Sequence, residues 1–347
     1  MDAGRSMEGA RNGKGVSLAS SIARRVERIF ARLGDYPYFT PHDLEEFVYY
    51  HRHFRDCLAA IDERIRSGDL RPMDLRNFPR ETRLPDYHLR AALFMGSFDP
   101  FQMTHLATAL RFLASPEARA DVVFVIPEGG ASALKPNRSE YQYRLDILNR
   151  QIKGIFEPLV APLDLGEGTD TLGIVNRFMG LFPGSSLEIT HLLGSDVLPI
   201  AAGFMEADLR EWRAEARRLD VRMEYRMHVV RRLRTEGAVK ALRSLRAKGI
   251  QVTFDRRLID YPSSTDFREA GAFTIVFPTD DMLSHLEVLF RYNLNRPWMR
   301  PGGAASGTAP DSGAPDSGAP DSRAPDSGAL ESRAPFSEEA SGAGEGH

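Results

Sequence analysis

Two short segments carry residue types that can hold a phosphate. The first is Gly96-Ser97-Phe98-Asp99-Pro100-Phe101-Gln102-Met103-Thr104-His105. Gly96 lets the backbone approach a ligand, Asp99-Pro100 makes a turn, and Thr104-His105 opens a helix whose free N–H groups favour an anion. An imidazole there can donate a hydrogen bond to a phosphate oxygen; its plainer role is that of any residue in a first helical turn. The second segment is Tyr261-Pro262-Ser263-Ser264-Thr265-Asp266-Phe267-Arg268. Successive hydroxyls at a helix start, with Arg268 three residues after Thr265, present N–H, O–H and guanidinium donors to one anion. Ser-Ser-Thr by itself also reads as a helix cap. Lys135 is a third candidate: only 5 of the 45 basic residues are lysines, and this one lies in the loop sequence GGASALKPNRS, where it can approach a phosphate or stay solvated.

Such groups must be carried to one place by the elements around them. From residue 89 the sequence alternates strand and helix patterns: ALFMG (92–96), a helix (105–114), DVVFVIP (121–127), a helix (140–153), VAPLDL, a helix from Thr171, LEITHLLG (187–194), YRMHVV (225–230), a helix (237–248) and IQVTF (250–254). Strands separated by helices imply right-handed crossovers and an α/β, doubly wound, Rossmann-like parallel sheet. Ligands in such folds bind beyond the carboxyl ends of the strands, where both the Gly96 turn and Gly194-Ser195-Asp196 fall. Ahead of this domain (89–300), residues 16–88 read as a helical extension. Leu18, Ile22, Val26, Ile29, Phe30 and Leu33 recur at helical spacing, as do Leu44, Phe47, Val48, His51, Phe54, Leu58, Ile61 and Ile65 after Thr40-Pro41. The pair is expected to pack on the main domain, or alternatively to mediate partner binding or self-association into a homo-oligomer.

Composition bounds the rest. The 347 residues are 42% hydrophobic and 27% charged, the balance of a globular protein. Residues 1–15 and 301–347 are expected to be disordered; the latter repeat APDSG with one aromatic, Phe336, too little apolar surface to offset chain entropy. That tail holds eight acids and two Arg, so the whole-chain charge of −3 hides a body of +3. A near-neutral body argues against a dedicated nucleic-acid binder. Residues 210–234 hold nine Arg, but Glu211, Glu215, Asp220 and Glu224 are interspersed as on a solvated helical face. Cys57 is the only cysteine, which excludes a disulfide framework and a cysteine zinc site. No apolar run approaches the ~18 residues of a membrane span, and the N-terminus lacks a signal-peptide core, so a cytoplasmic address is expected. Gly166-x-Gly168 lacks the third glycine of a dinucleotide loop, and no GxxxxGK[ST] is present.

Taken together, the two phosphate segments resemble the nucleotidylyltransferase superfamily of HxGH and SSTxxR type, and most nearly its nicotinamide or nicotinate mononucleotide adenylyltransferases. Further stretches follow in that family's order over roughly residues 90–295: Lys135-Pro136-Asn137, Tyr143-Arg144-Leu145, Asp170-Thr171-Leu172, Leu193-Gly194-Ser195-Asp196-Val197-Leu198 and Val229-Val230-Arg231-Arg232. The first His of HxGH is Gln102 here and its Gly is Thr104; eukaryotic-type members have a similar Thr-x-x-His arrangement. Glu167-Gly168-Thr169 stands where bacterial members carry an aromatic that stacks on the pyridine ring.

The resemblance implies adenylyl transfer from ATP, arriving with Mg²⁺ held by phosphate and water, to a mononucleotide phosphate acceptor. His105, Arg268 and Lys135 would serve the chemistry. Gly96, Ser97, Phe98, His105, Gly194, Asp196, Arg232, Ser263, Ser264, Thr265 and Arg268 would bind ATP, with Arg231 the fallback for Arg232. Phe98, Lys135, Asp170 and Thr171 would bind the acceptor, and no protein metal ligand is named. A helix-capping role for Asp196 stays open beside the ATP ribose role. Another acceptor, such as phosphopantetheine, and a non-catalytic nucleotide-binding homologue are the alternatives.

Overall fold

Strands that are apolar on both faces are stable only between two covering layers. β1 (His88–Gly96) and β4 (Ser186–Gly194) are of this kind, each with five consecutive buried residues before its terminal glycine. A computed structural model of the chain describes residues 17–35, 41–75, 78, 87–130, 138–232, 237–255 and 277–278. All of these fall in one compact unit, Met1–Gly302. The expected disorder of 1–15 and 301–347 lies outside the described residues.

β1, β2 (Val122–Pro127), β3 (Val160–Pro162), β4, β5 (Arg222–Val230) and β6 (Gln251–Asp255) form an all-parallel sheet in the order β3-β2-β1-β4-β5-β6. Side chains alternate between its faces. Ala92 and Phe94 of β1 join Val123 and Val125 of β2 in a core with α3 (Met103–Ala114) and α4 (Tyr141–Ile152). Leu93, Met95, Phe124 and Ile126 join the opposite core with α5 (Thr171–Gly180), α6 (Leu198–Arg218) and α7 (Ala238–Ala247). This is the expected Rossmann-like α/β fold. Chain order reverses between β1 and β4, and the carboxyl ends of those strands flank the crevice where such sheets bind ligands.

α1 (Leu18–Ala31) starts at Ser17, whose side chain accepts from the Ser20 N–H at 3.1 Å. It pairs with α2 (Pro41–Ser67), and Val26, Ile29, Phe30, Phe47, Phe54 and Ile61 enter the same core as Leu106, Leu110 and Leu113 of α3. The expected face of α2 is corrected at Val48, which is 49% exposed, while Tyr50 and Cys57 are buried instead. Positions 47, 50, 54, 57 and 61 follow the i+3/i+4 ladder of one helical stripe, and position 48 is turned about 100° from its neighbour 47. The described arginines of 210–234 do not share a face: Arg218 pairs with Glu215 at 2.5 Å, whereas Arg226 is 7% exposed and pairs with Glu188 at 3.1 Å. Among the described residues no helix is long and apolar enough to cross a membrane.

Two imidazoles are buried in the sheet. His191 Nδ1 pairs with the Tyr225 hydroxyl at 2.9 Å, and His228 Nδ1 with Thr253 Oγ1 at 2.8 Å. Burial lowers both rings to about 4 from 6.5. Between those values the unfolded chain binds more protons than the native one. Their contribution to stability is therefore full above about pH 6.5 and is lost as pH falls toward 4. The urea midpoint is expected to fall between pH 7 and pH 4.5, each imidazole accounting for up to ~3 kcal/mol. His191→Gln should flatten that dependence; a pH profile identical to wild type overturns the assignment.

Candidate active site

The turn after β1 is held in a conformation that few residues adopt. Phe98 has φ +43°, in the left-handed region that costs a non-glycine residue on the order of 1–3 kcal/mol. Its ring is anchored against Phe94 at 5.1 Å, Phe101 at 5.6 Å and His105 at 5.0 Å, and the residue is 4% exposed. The side chain thus belongs to the core, leaving only backbone for the expected ligand contact. Asp99, 3% exposed, accepts the Ser139 N–H on Oδ2 at 2.9 Å.

His105 is the third residue of α3. Its Nδ1 accepts the Gln102 N–H at 3.0 Å, closing the first turn, and its ring stacks on Phe101 at 5.5 Å. An accepting Nδ1 assigns the proton of the neutral ring to Nε2. Nε2–H is then a donor at a helix N-terminus, where anions are favoured. Gln102 and Thr104 are each 1% exposed, and Thr104 Oγ1 donates to Gln102 Oε1 at 3.1 Å. Both belong to the support of the turn, and His105 is its half-buried imidazole.

A second turn leaves the sheet beside the first, since Phe94 of β1 is register partner to Leu192 of β4. It brings Gly194, Asp196 and Arg232 together. A Cβ at Gly194 would lie 2.3 Å from Asp196 Oδ1 and 3.1 Å from Arg232 Cγ, so only glycine fits without moving them. Ser195, fully buried, accepts the Arg232 N–H on Oγ at 2.9 Å and fixes where the chain leaves β5. Sequence reasoning quoted Ser195 without giving it a role; a small hydroxyl between Gly194 and Asp196 was the available signal. The helix-capping role for Asp196 is not observed: the N-cap of α6 is Val197. Arg231 is exposed, its N–H directed to Asp255 O at 3.3 Å, so Arg232 is the arginine beside Gly194.

The turn after β1 has a support that sequence reasoning also passed over. Arg144, 1% exposed, donates to the carbonyls of Ser97, of Glu128 at 2.9 Å and of Ser139 at 2.9 Å. Asp170 and Thr171 carry local duties: Asp170 Oδ1 caps α5 by accepting the Gly173 N–H at 3.2 Å, and Thr171 donates to Glu128 Oε1 at 2.6 Å. Lys135, Ser263, Ser264, Thr265 and Arg268 lie outside the described residues. Among the described residues no group of three or more His, Cys, Asp or Glu could hold a metal ion. A cavity of ≈ 610 Å³ opens at the other end of the sheet, beside His88, Arg90, Asp121 and Glu188. Four of its charged groups pair, Arg90 with Asp121 at 2.5 Å and His88 with Glu188 at 3.3 Å.

No family model matches the chain. A Bordetella petrii protein named "Probable nicotinate-nucleotide adenylyltransferase" is 33% identical over 132 residues, covering 38% of this chain and 63% of that protein. The likeness is to the nucleotidylyltransferase superfamily. The match spans less than two thirds of that curated relative. Two solved chains of Plasmodium falciparum nicotinic acid mononucleotide adenylyltransferase, complexed with APC and with NaAD, are each 17% identical over 60% of this chain. They are covered to 97% and 99%, with TM-scores of 0.35 and 0.37. The sheet order of this chain, rather than those superpositions, defines its fold.

In this nucleotidylyltransferase-like domain the loops after β2 and β3 meet backbone to backbone. Gly129 N–H donates to Gly166 O at 2.8 Å, and a Cβ at Gly166 would lie 1.8 Å from Pro127 O. Gly166 is therefore needed for close approach rather than for cradling a phosphate. Gly166→Ala is expected to destabilise the chain by about 1–3 kcal/mol or more, read as a lower urea midpoint. Gly168→Ala, with no atom within 4 Å but φ +66°, should cost about 1–2 kcal/mol through backbone strain alone. Equal wild-type midpoints for both would overturn the close-approach argument.

Proposed function

We propose that the chain transfers the adenylyl group of ATP to nicotinate or nicotinamide mononucleotide, forming deamido-NAD or NAD. An oxygen of the acceptor phosphate attacks the α-phosphorus of ATP; the bond from that phosphorus to the α,β-bridging oxygen breaks, and pyrophosphate leaves. No protein nucleophile takes part. Catalysis comes from holding the two phosphates in line and from donors aimed at the charge that builds on them. The observation that carries this reading is the Nε2–H of His105 at the first turn of α3, at the switch point of the sheet, in a chain with an adenylyltransferase-like sequence.

His105 donates to the α- and β-phosphates. Backbone groups of Gly96, Ser97 and Phe98 separate the two substrates, and Asp196 with Arg232 meets the ATP ribose and phosphate region. Ser263, Ser264, Thr265 and Arg268 are proposed for the β- and γ-phosphates, and Lys135 for the acceptor phosphate. Mg²⁺ belongs to the substrate, carried in on ATP with phosphate and water as its ligands. Nicotinate or nicotinamide as the base is the finer part of the proposal, and it rests on the Asp170-Thr171-Leu172 and Gly194-Ser195-Asp196 stretches.

Purified chain with ATP, Mg²⁺ and either mononucleotide is expected to release pyrophosphate. His105→Ala should lower kcat by about 10²-fold or more with an unchanged melting midpoint. Wild-type activity in that variant sinks the site assignment. Turnover with phosphopantetheine but neither mononucleotide would move the acceptor, and ATP binding without pyrophosphate release from any acceptor would make the chain a nucleotide binder.

A further inference from the structure

Gln151 is a fully buried amide in the last turn of α4. Such a group costs free energy unless its donors and its acceptor are bonded. Its Nε2 donates to Phe101 O at 3.1 Å and to Ile147 O, one turn back in α4, at 3.4 Å. Its Oε1 accepts the Phe277 N–H at 2.9 Å. A backbone N–H can only donate, which fixes Oε1 toward Phe277 and the NH2 group toward the two carbonyls. Phe101 and Phe277 are both buried outside helix and strand, in segments with no ladder to serve their backbone groups. A methionine would fill the same space but would leave both without this partner.

The carbonyl of Phe101 and the N–H of Gln102 belong to one peptide group. That group is planar, and in its trans form the C=O and the N–H point in opposite directions. One end accepts from Gln151, and the other donates to His105 Nδ1 at 3.0 Å. Amide, peptide and imidazole therefore form a single hydrogen-bonded chain. A hydrogen bond accepted at the carbonyl polarises the peptide group and strengthens its N–H as a donor. That N–H keeps Nδ1 an acceptor and so leaves the proton of the neutral ring on Nε2, the atom proposed to face the phosphates. The Phe101 ring adds a second restraint, since it is fully buried and stacks on His105 at 5.5 Å. Gln151 thus holds the backbone of the residue whose side chain also packs on the imidazole.

We infer that Gln151 is a positioning residue for His105: through the Phe101–Gln102 peptide group it sets the tilt of the imidazole and which ring nitrogen carries the proton. Phe277, which follows the segment proposed for the β- and γ-phosphates, orients the amide from its other side. The turnover readout of this inference rests on the proposed adenylyl transfer; a spectroscopic readout does not.

The test compares Gln151→Met, which keeps the side-chain length and removes the amide, with Ile61→Val, a change at a fully buried α2 residue of the same core. In protein carrying an isotopic label on the histidine ring nitrogens, the His105 signals are assigned by their loss in His105→Gln. The Nδ1 signal of the neutral ring should move in Gln151→Met and not in Ile61→Val. Gln151→Met is expected to lower kcat for pyrophosphate release by about 10-fold or more, as for a group misplaced by a fraction of an ångström, with KM for ATP within about twofold. Ile61→Val should lower the melting midpoint but leave kcat alone. An Nδ1 signal unmoved in Gln151→Met overturns the inference, as does wild-type kcat in that variant of an active enzyme. If Gln151→Met does not fold, the wild type decides: coupling across the bond from the Gln102 N–H to Nδ1 and slow exchange of the Gln151 side-chain amide protons are expected, and the absence of either overturns it. A moved signal in a chain that releases no pyrophosphate upholds the positioning role and refutes the reaction.

Discussion

A guanidinium taken out of water must find acceptors for its N–H groups or cost several kcal/mol. Arg144 finds them in the backbone carbonyls of Ser97, Glu128 and Ser139, from the turn after β1, the end of β2 and the approach to α4. Those segments are irregular, and none has a sheet or helix ladder to fix it. One buried side chain therefore sets the relative height of the loops around the candidate active site. Asp99 answers by accepting the Ser139 N–H, and the strained Phe98 lies between these two restraints. The strain persists because the residues on either side of it cannot relax.

The helices on the two faces of the sheet serve different ends. α5, α6 and α7 cover one face with apolar packing that includes the buried Trp212, whose Nε1–H donates to Leu172 O at 3.2 Å. The other face carries α3 and α4, and the α1–α2 hairpin packs into that same core. Phe277, well beyond β6 in the chain, is also drawn into it. Its ring packs on Phe30, Phe54 and Phe156, and its N–H donates to Gln151 Oε1 at 2.9 Å. Gln151 donates in turn to Phe101 O at 3.1 Å, next to the ring that stacks on His105. The hairpin core is thus joined through Phe277 and Gln151 to the turn that holds the imidazole.

The strand–helix alternation from β1 to β6 was legible because a strand covered on both faces leaves a short unbroken apolar run, and the connecting helices show their own period. Edges were less legible. β1 starts at His88 rather than at residue 92 because its first residues pair with β4 through the backbone while some side chains stay outside the core. Of the candidate site, Gly96, Ser97, His105, Gly194, Asp196 and Arg232 could be named from motif order. Ser195 and Arg144 could not be given their tasks, since each acts on the backbone of a segment remote in sequence.

What the sequence determined by itself is the class of fold and the identity of the groups at its strand ends, because hydrophobic period and turn chemistry are local properties. Only the tertiary structure decided that Gln102 and Thr104 support the turn, that Asp196 lies over Gly194 instead of capping α6, and that Arg144 gathers the carbonyls of Ser97, Glu128 and Ser139. Each of those outcomes depends on which buried polar group lies within hydrogen-bond reach of which other. That reach is set by the packing of several elements at once, and no single stretch of the chain encodes it.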